Sequence, residues 1–355
     1  MFTKHGIKTL LFSISLVIMN LNTANSMEIL SDKELSAETG QSLFNLQHIA
    51  PNEFNNPNQN IGFYRLGMQV NMDLNANIKT LQLGCGGMKG VGCDIDLSNV
   101  SLTGVNLINE NFAATDAVIN NPYLEFAIKN SNSAALREVV GLRLGAESVL
   151  GLLSIGSNPN SETVTDDFGI ETITGDLNIS VTDSQLSNGC VRLLICLPFT
   201  GTLAPYNTSI SVNRAKTIDL KGLQATTTSV IGFPVGLTLN NINVLNQPLN
   251  TVHRLLLAKD KDGVIPTSDF YLSLQSIPIT WQKLSTQNFN NPQAQSGWWI
   301  SLPNVQISNL DIKQQVEVSA GDIIGGLLFS QPININPLDL GQKPAQNCYG
   351  SLKFC

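Results

Sequence analysis

The sequence predicts a mainly β protein: one large coiled or rolled, mostly antiparallel sheet, sandwich-like or roll-like, with a short N-terminal helix. Three observations carry this. Apolar residues recur at every second position through most of the chain, as in Met68, Val70, Met72 and Leu74 or Val140, Leu142 and Leu144, which is the period of a strand. Charge is scarce, at 13% of 355 residues, about half the ~25% of an ordinary soluble domain. The polar remainder is uncharged and includes 39 asparagines, residues that favour turns over helix interiors. Helical bundles and coiled coils are therefore excluded. The 42% apolar content is too high for a disordered chain, and the net charge of −7 argues against a nucleic-acid partner.

Residues 1–26 have the form of a secretory signal peptide: Lys4 and Lys8, an apolar run from Leu10 to Met19, then Ala24-Asn25-Ser26. The run is too short to span a hydrocarbon core of about 30 Å. Cleavage would take the charge from −7 to −9, because two lysines and no acid are lost. No later segment is apolar enough for a membrane-spanning helix. Residues 27–60 read as a short helix followed by a polar linker. Ser31 and Glu34 form a capping box, Leu30 and Leu35 a hydrophobic staple, and Gly40 a stop. A two-turn helix is unstable alone in water, so Leu30, Leu35, Gly40 and Gln41 are candidate docking residues. The linker is PNEFNNPNQN, residues 51–60.

Residues 61–355 read as the β domain, divisible into halves at about residue 200. In 123–128, Tyr123, Glu125 and Ala127 alternate with Leu124, Phe126 and Ile128, a strand with one wet face. The segment 134–155 has leucines enough for a helix, but Gly141, Gly145 and Gly151 would each weaken one by about 1 kcal/mol. It reads as strand, with one helical turn near Ala146–Leu150.

A unit of leucine, a small polar residue and two spaced apolar residues occurs five times: 97–102, 220–225, 239–244, 274–279 and 302–307. In each copy the apolar parity flips at the small polar residue. A strand changes parity only through an inserted residue, so each copy predicts a β-bulge or tight corner, which Asn, Gly and Ser tolerate. The alternative architecture is an irregular β-solenoid, but the copies start at uneven intervals, from 19 to 123 residues. An outer-membrane barrel would need aromatic girdles, which 22 aromatics and three cysteine pairs fit poorly.

The cysteines fall in three close pairs, Cys85 with Cys93, Cys190 with Cys196 and Cys348 with Cys355. In an exported chain these read as disulfides, local pairing being the simplest of 15 connectivities. The spacings fit no zinc knuckle. No GxSxG, HExxH, phosphate-loop or dinucleotide motif is present, and His48 and His253 read as structural residues. No cofactor is expected. Asp260 and Asp262 open like a calcium loop, but the bidentate glutamate is missing, and a plain Asp-Gly turn explains them better. Trp298 and Trp299 are candidate contact residues, one ring on each face of a strand.

Two stretches resemble known proteins. LSDKELSAETGQ (31–41 with Leu30) is similar to the Leu-Ser-x-Val-x-Gly-Gln motif that opens many small exported gammaproteobacterial proteins, with Glu38-Thr39 in its middle here. Residues 94–104 and 121–156 resemble the Fil-type pilus assembly proteins. That resemblance implies export and association with a surface filament, and it transfers no catalytic residues. The expected role is an exported structural or adhesive component of the bacterial cell surface. It would join other envelope or pilus proteins by strand-edge pairing, in the periplasm, at the outer-membrane surface or in an extracellular filament. A lipid- or peptide-binding module ranks second, and a glycan-active enzyme third.

Overall fold

The structure, a computed structural model, describes residues 43–105, 115–157, 169–308 and 310–342. The predicted signal peptide, the Leu30, Leu35, Gly40 and Gln41 helix, and Cys348 and Cys355 lie outside these residues. In chain order the strands are β1 (Phe44–Ile49), β2 (Ile61–Met68), β3 (Asn71–Leu74), β4 (Ala76–Leu83), β5 (Ile95–Thr103), β6 (Ala117–Lys129), β7 (Glu138–Ile155), β8 (Ile170–Val181), β9 (Ser184–Arg192) and β10 (Cys196–Leu203). There follow β11 (Tyr206–Ala215), β12 (Thr217–Val230), β13 (Thr238–Pro248), β14 (His253–Leu257), β15 (Thr267–Ser268), β16 (Tyr271–Gln275), β17 (Gly297–Ile307), β18 (Asp311–Ile312), β19 (Val316–Ser319) and β20 (Ile333–Ile335). Among the described residues one helix, α1 (Ala320–Phe329), joins β19 to β20.

The mainly β architecture is the one the alternation predicts, and the strands form two large mixed sheets. The first has the order β1-β2-β6-β7-β14-β17-β8-β5-β4, with β3, β11, β15 and β16 attached. The second runs β18-β9-β10-β12-β13-β20, with β19 on β9. Pairing is antiparallel except at β17–β8, β13–β20, β18–β9 and β19–β9. The first sheet coils: β5 reaches back to pair with β7 through Ser101, Leu102 and Thr103. The space it wraps is filled by Ile95, Leu97, Leu153, Ile173, Leu177, Leu257, Leu302 and Val305. Removing such side chains from water, at about 25 cal/mol per Å² of apolar surface, is what holds the coil shut. The second sheet encloses its own core of Leu186, Phe199, Leu223, Leu239, Ile242, Val244 and Ile333.

The repeated unit kinks where its small polar residue sits. Asn99, Gly222 and Asn241 have φ of 51°, 77° and 57°, in the left-handed region that Asn and Gly enter cheaply. Burial follows the flip most cleanly in β13, where Leu239 is buried before the kink and Ile242 and Val244 after it. In β17 the flip is a register shift against β8 between Leu302 and Val305. In the copy at 274–279 the strand ends at Gln275 and the chain turns away instead.

Three boundaries differ from the expectation. The β domain begins at Phe44, because β1 pairs with β2 along its whole length. The segment 51–60, read as a linker, is the β1–β2 connection, and Asn58 in it is buried, exchanging two hydrogen bonds with the Thr280 backbone (2.7 and 2.9 Å). No boundary falls at residue 200, since strands from both sides of it enter both sheets. The 138–155 segment is strand throughout, including 146–150. Its glycines matter for packing: a Cβ at Gly141 would stand 3.1 Å from the Trp281 ring, and one at Gly145 2.5 Å from the Tyr123 hydroxyl. No sequence pattern marked α1. Its start is nevertheless capped, the Ser319 Oγ accepting the Asp322 N–H at 3.0 Å.

Candidate functional site

Strand register places the side chains of the first sheet in rows. Leu46, Leu66, Leu124, Leu144, Leu272 and Ile300 are successive partners across β1, β2, β6, β7, β16 and β17. Two residues along, the next row on the same face is His48, Tyr64, Phe126, Leu142, Leu274 and Trp298. Phe44 with Met68, and Ile128 with Val139, extend the face at its two ends. The set contains no acid, lysine or arginine, and the His48 ring lies 4.4 Å from that of Tyr64. On the β17 side the face turns into the coiled core, where Leu272, Trp298 and Ile300 are packed. Over β1, β2, β6 and β7 it is open to solvent: Leu46 is 75% exposed, Leu144 49% and Leu66 43%. A contiguous apolar face of this kind is uncommon on a soluble monomer and marks an interaction surface.

The opposite face of the same strands carries the charge. Gln47, Arg65, Glu125, Arg143, Ser273 and Trp299 are register partners in one row. Glu125 and Arg143 are 0% exposed. Arg65 Nη2 meets Glu125 Oε1 at 2.7 Å, and Arg143 Nε donates to Glu125 Oε2 at 2.7 Å, with a second bond from Arg143 Nη2 to the same oxygen. The arginines then tie down the covering loop 276–296, through Arg143 Nη1 to the Gln282 carbonyl (2.8 Å) and Arg65 Nη2 to the Gln282 side chain (3.3 Å). The Arg143 guanidinium lies 5.1, 5.1 and 5.0 Å from the ring centres of Tyr123, Tyr271 and Trp281, a stacking mode open to a planar cation. Burial pushes the Tyr123 hydroxyl up to about 12. Burial also raises the Asp176 carboxyl, against the hydrogen bonds it accepts from Trp299 Nε1 (2.7 Å) and Ser301 Oγ (2.8 Å). Buried charges of this kind persist only when paired and hydrogen-bonded. The cluster has no exposed surface at Glu125 or Arg143 and acts as the scaffold of the outer face.

A second apolar surface lies at one end of the second sheet. The β9–β10 tip, Leu193-Leu194-Ile195, is closed by the Cys190–Cys196 disulfide, and Leu194 is fully exposed. The β12–β13 loop presents Ile231, Phe233 and Val235, and α1 presents Leu328 and Phe329, all exposed. The three share an end because β12 runs antiparallel to β10 and β19 runs parallel to β9, with Ser319 opposite Arg192. Inside this sheet is a cavity of about 50 Å³ lined only by apolar side chains, among them Leu186, Phe199, Leu223, Val244 and Ile333. A benzene-sized void is about 150 Å³, so the enclosed space takes no acyl chain.

The predicted residues fall as follows. Cys85–Cys93 and Cys190–Cys196 are disulfides, bonds that belong to an oxidising, exported environment. The Cys85–Cys93 loop is clamped by Arg214, which donates to the Val91 carbonyl (2.7 Å) and to Asp94 (2.9 Å). Trp299 is buried and bonded to Asp176, so it offers no contact surface, and Trp298 is half-buried over the coiled core. His253 is buried, its Nε2 2.8 Å from the Leu249 carbonyl, and burial holds its pKa down. Asp260 is a turn residue: its carboxylate accepts the N–H groups of Val264 (3.1 Å) and Ile265 (2.6 Å), and Gly263 turns the chain at φ 67°. No cluster of His, Cys, Asp or Glu that could hold a metal occurs among the described residues. No described helix is long and apolar enough to cross a membrane. No family model, curated protein or solved structure matches the chain.

Proposed function

We propose that the protein is an exported structural component of the bacterial cell surface, associated with pilus assembly, that joins envelope or pilus proteins by strand addition at β1. The observation that carries this reading is the state of β1. Among the described residues it pairs on one side only, with β2, and its sequence FNLQHI contains no lysine, acid or proline. Edge strands that must stay single are usually blunted by such residues, and an unblunted edge recruits another strand through backbone hydrogen bonds. Phe44 and Leu46 add apolar anchors beside it. The resemblance of residues 94–104 and 121–156 to Fil-type pilus assembly proteins points to the same setting. The test is fractionation with immunogold labelling of a tagged chain. Co-purification with filaments or outer-membrane material, lost in Asn45→Lys/Gln47→Pro, is the expected result. Recovery as a soluble periplasmic monomer, from cells that build normal filaments without it, would overturn the reading.

A second reading, contact with envelope lipid, is favoured by the three apolar tips at the end of the second sheet. Convex apolar loops can enter the headgroup boundary of a bilayer. Flotation of the protein with phosphatidylcholine vesicles, abolished by Leu194→Gln/Phe233→Gln, is its expected signature. No flotation at any lipid concentration would remove it.

A further inference from the structure

We infer that the apolar outer face of the first sheet is a homodimer interface, covered in solution by the same face of a second copy of this chain. The inference deepens the assembly reading above by naming the first partner, and rests on it.

Area is the first argument. Over β1, β2, β6 and β7, where the face is open, four strands at about 4.8 Å spacing and four side-chain rows at about 6.7 Å cover roughly 500 Å² in projection. Side-chain relief adds to that figure, which brings it to the low end of specific interfaces, about 600 Å² per partner. Shape is the second. A twisted sheet finds its best complement in another sheet of the same twist, stacked about 10 Å away with strands within about 30°. A copy of the same face supplies that twist, and a two-fold axis makes each leucine row meet its counterpart.

Charge is the third argument, and it selects a protein copy over a lipid surface. The face holds no lysine or arginine, and Lys129 at its rim stands opposite Glu138 across the β6–β7 ladder. The chain as a whole carries a net charge of −7. Nothing here offers the basic collar by which peripheral faces are drawn to anionic bilayers. An uncharged face does suit a copy of itself, since no ion has to be desolvated or matched across the two-fold axis. The row that would be costly to bury, Arg65, Glu125 and Arg143, is already paired on the opposite side of the sheet.

The test is sedimentation velocity on the purified, detergent-free protein over a wide concentration range, with native mass spectrometry to read any bound lipid. The wild type is expected to sediment as a reversible dimer without lipid. Leu66→Glu and Leu144→Glu place a carboxylate in the centre of the face, and each should weaken self-association by at least about tenfold with an unchanged circular dichroism spectrum. Should the glutamates disturb folding, Leu66→Gln and Leu144→Gln give the same readout with a milder change. A monomer at every concentration, a dimer indifferent to all four substitutions, or stoichiometric lipid on a monomer would overturn the inference. A monomer that still co-purifies with filaments removes the dimer and leaves the assembly reading. A face-dependent dimer never found with filaments or outer-membrane material does the reverse.

Discussion

The β1-β2-β6-β7 part of the first sheet and the second sheet differ in what they bury: the former puts a charged row among its inner apolar side chains and leaves leucines outside. In the second sheet the inner face is mainly apolar, from Leu186 to Ile333, with no buried ion pair, and the outer positions at the start of β12 are Thr217, Asp219 and Lys221. In the first sheet the inner row is Gln47, Arg65, Glu125 and Arg143, while leucines face out. The comparison teaches that a period of two says which residues share a face and not which face is inside. In the first sheet the covering loop decides. Trp281, Phe289 and Ile279 bring enough apolar surface to close over the charged row, and Gln282 supplies the remaining hydrogen bonds. Among the described residues nothing covers the leucine face over β1, β2, β6 and β7.

The sharpest way to break the comparison is to remove charge on one side and volume on the other. Glu125→Gln strands two buried guanidinium groups and should cost about 3–5 kcal/mol in urea unfolding. The opposite substitution in the second sheet, Leu239→Ala, should cost about 2–5 kcal/mol through a cavity. A small loss at Glu125 would mean that the ionic row is solvated and the faces are not inverted.

The two disulfides sharpen the contrast further. Cys190→Ser/Cys196→Ser removes the covalent clamp on the Leu193–Ile195 tip and should cost roughly 2 kcal/mol by the chain-entropy model, with new proteolysis at the tip. The Cys85–Cys93 loop keeps its Arg214 and Asp94 contacts after reduction, so its protease resistance should persist. Cleavage of both loops alike would contradict that difference.

His253 gives a pH test. Its folded pKa lies below the usual value of about 6.5 because it is buried, so the unfolded chain binds the proton first. Stability should therefore be constant above that pH and fall as the pH drops below it. A urea midpoint followed between pH 7.5 and 5.5 should show the slope in the wild type and lose it in His253→Gln. The smallest effect is expected at Leu144→Gln, within about 0.5 kcal/mol for the isolated chain, because the side chain is exposed. A large loss there would mean that the leucine face is core.

Much of this fold was legible in the sequence. The strands, the kinks at Asn99, Gly222 and Asn241, and the two local disulfides follow from alternation, parity and spacing. The glycines that argued against a helix in 138–155 prove to be the seats of Trp281 and Tyr123. The inverted face was not legible, because Arg65, Glu125 and Arg143 stand one per strand at what look like wet positions. Only the register that aligns them, set by contacts 18 to 60 residues apart, shows that both arginines pair with the one glutamate. A signal was present: Arg65, Glu125 and Arg143 each stand mid-strand among apolar neighbours, and the covering loop is rich in amide side chains. α1 escaped notice because Gly325 and Gly326 interrupt its apolar run, although Ser319 and Asp322 cap it.

The most direct test of the central claim, that the first sheet keeps charge inside and leucines outside for a partner, is hydroxyl-radical footprinting with mass spectrometry across a dilution series. Leu46, Leu66, Phe126 and Leu144 should be oxidised readily at low concentration and become protected as the protein associates, while Tyr123 and Tyr271 stay protected throughout. Protection of the four outer residues at every dilution, or oxidation of Tyr123 in the folded monomer, would contradict the account.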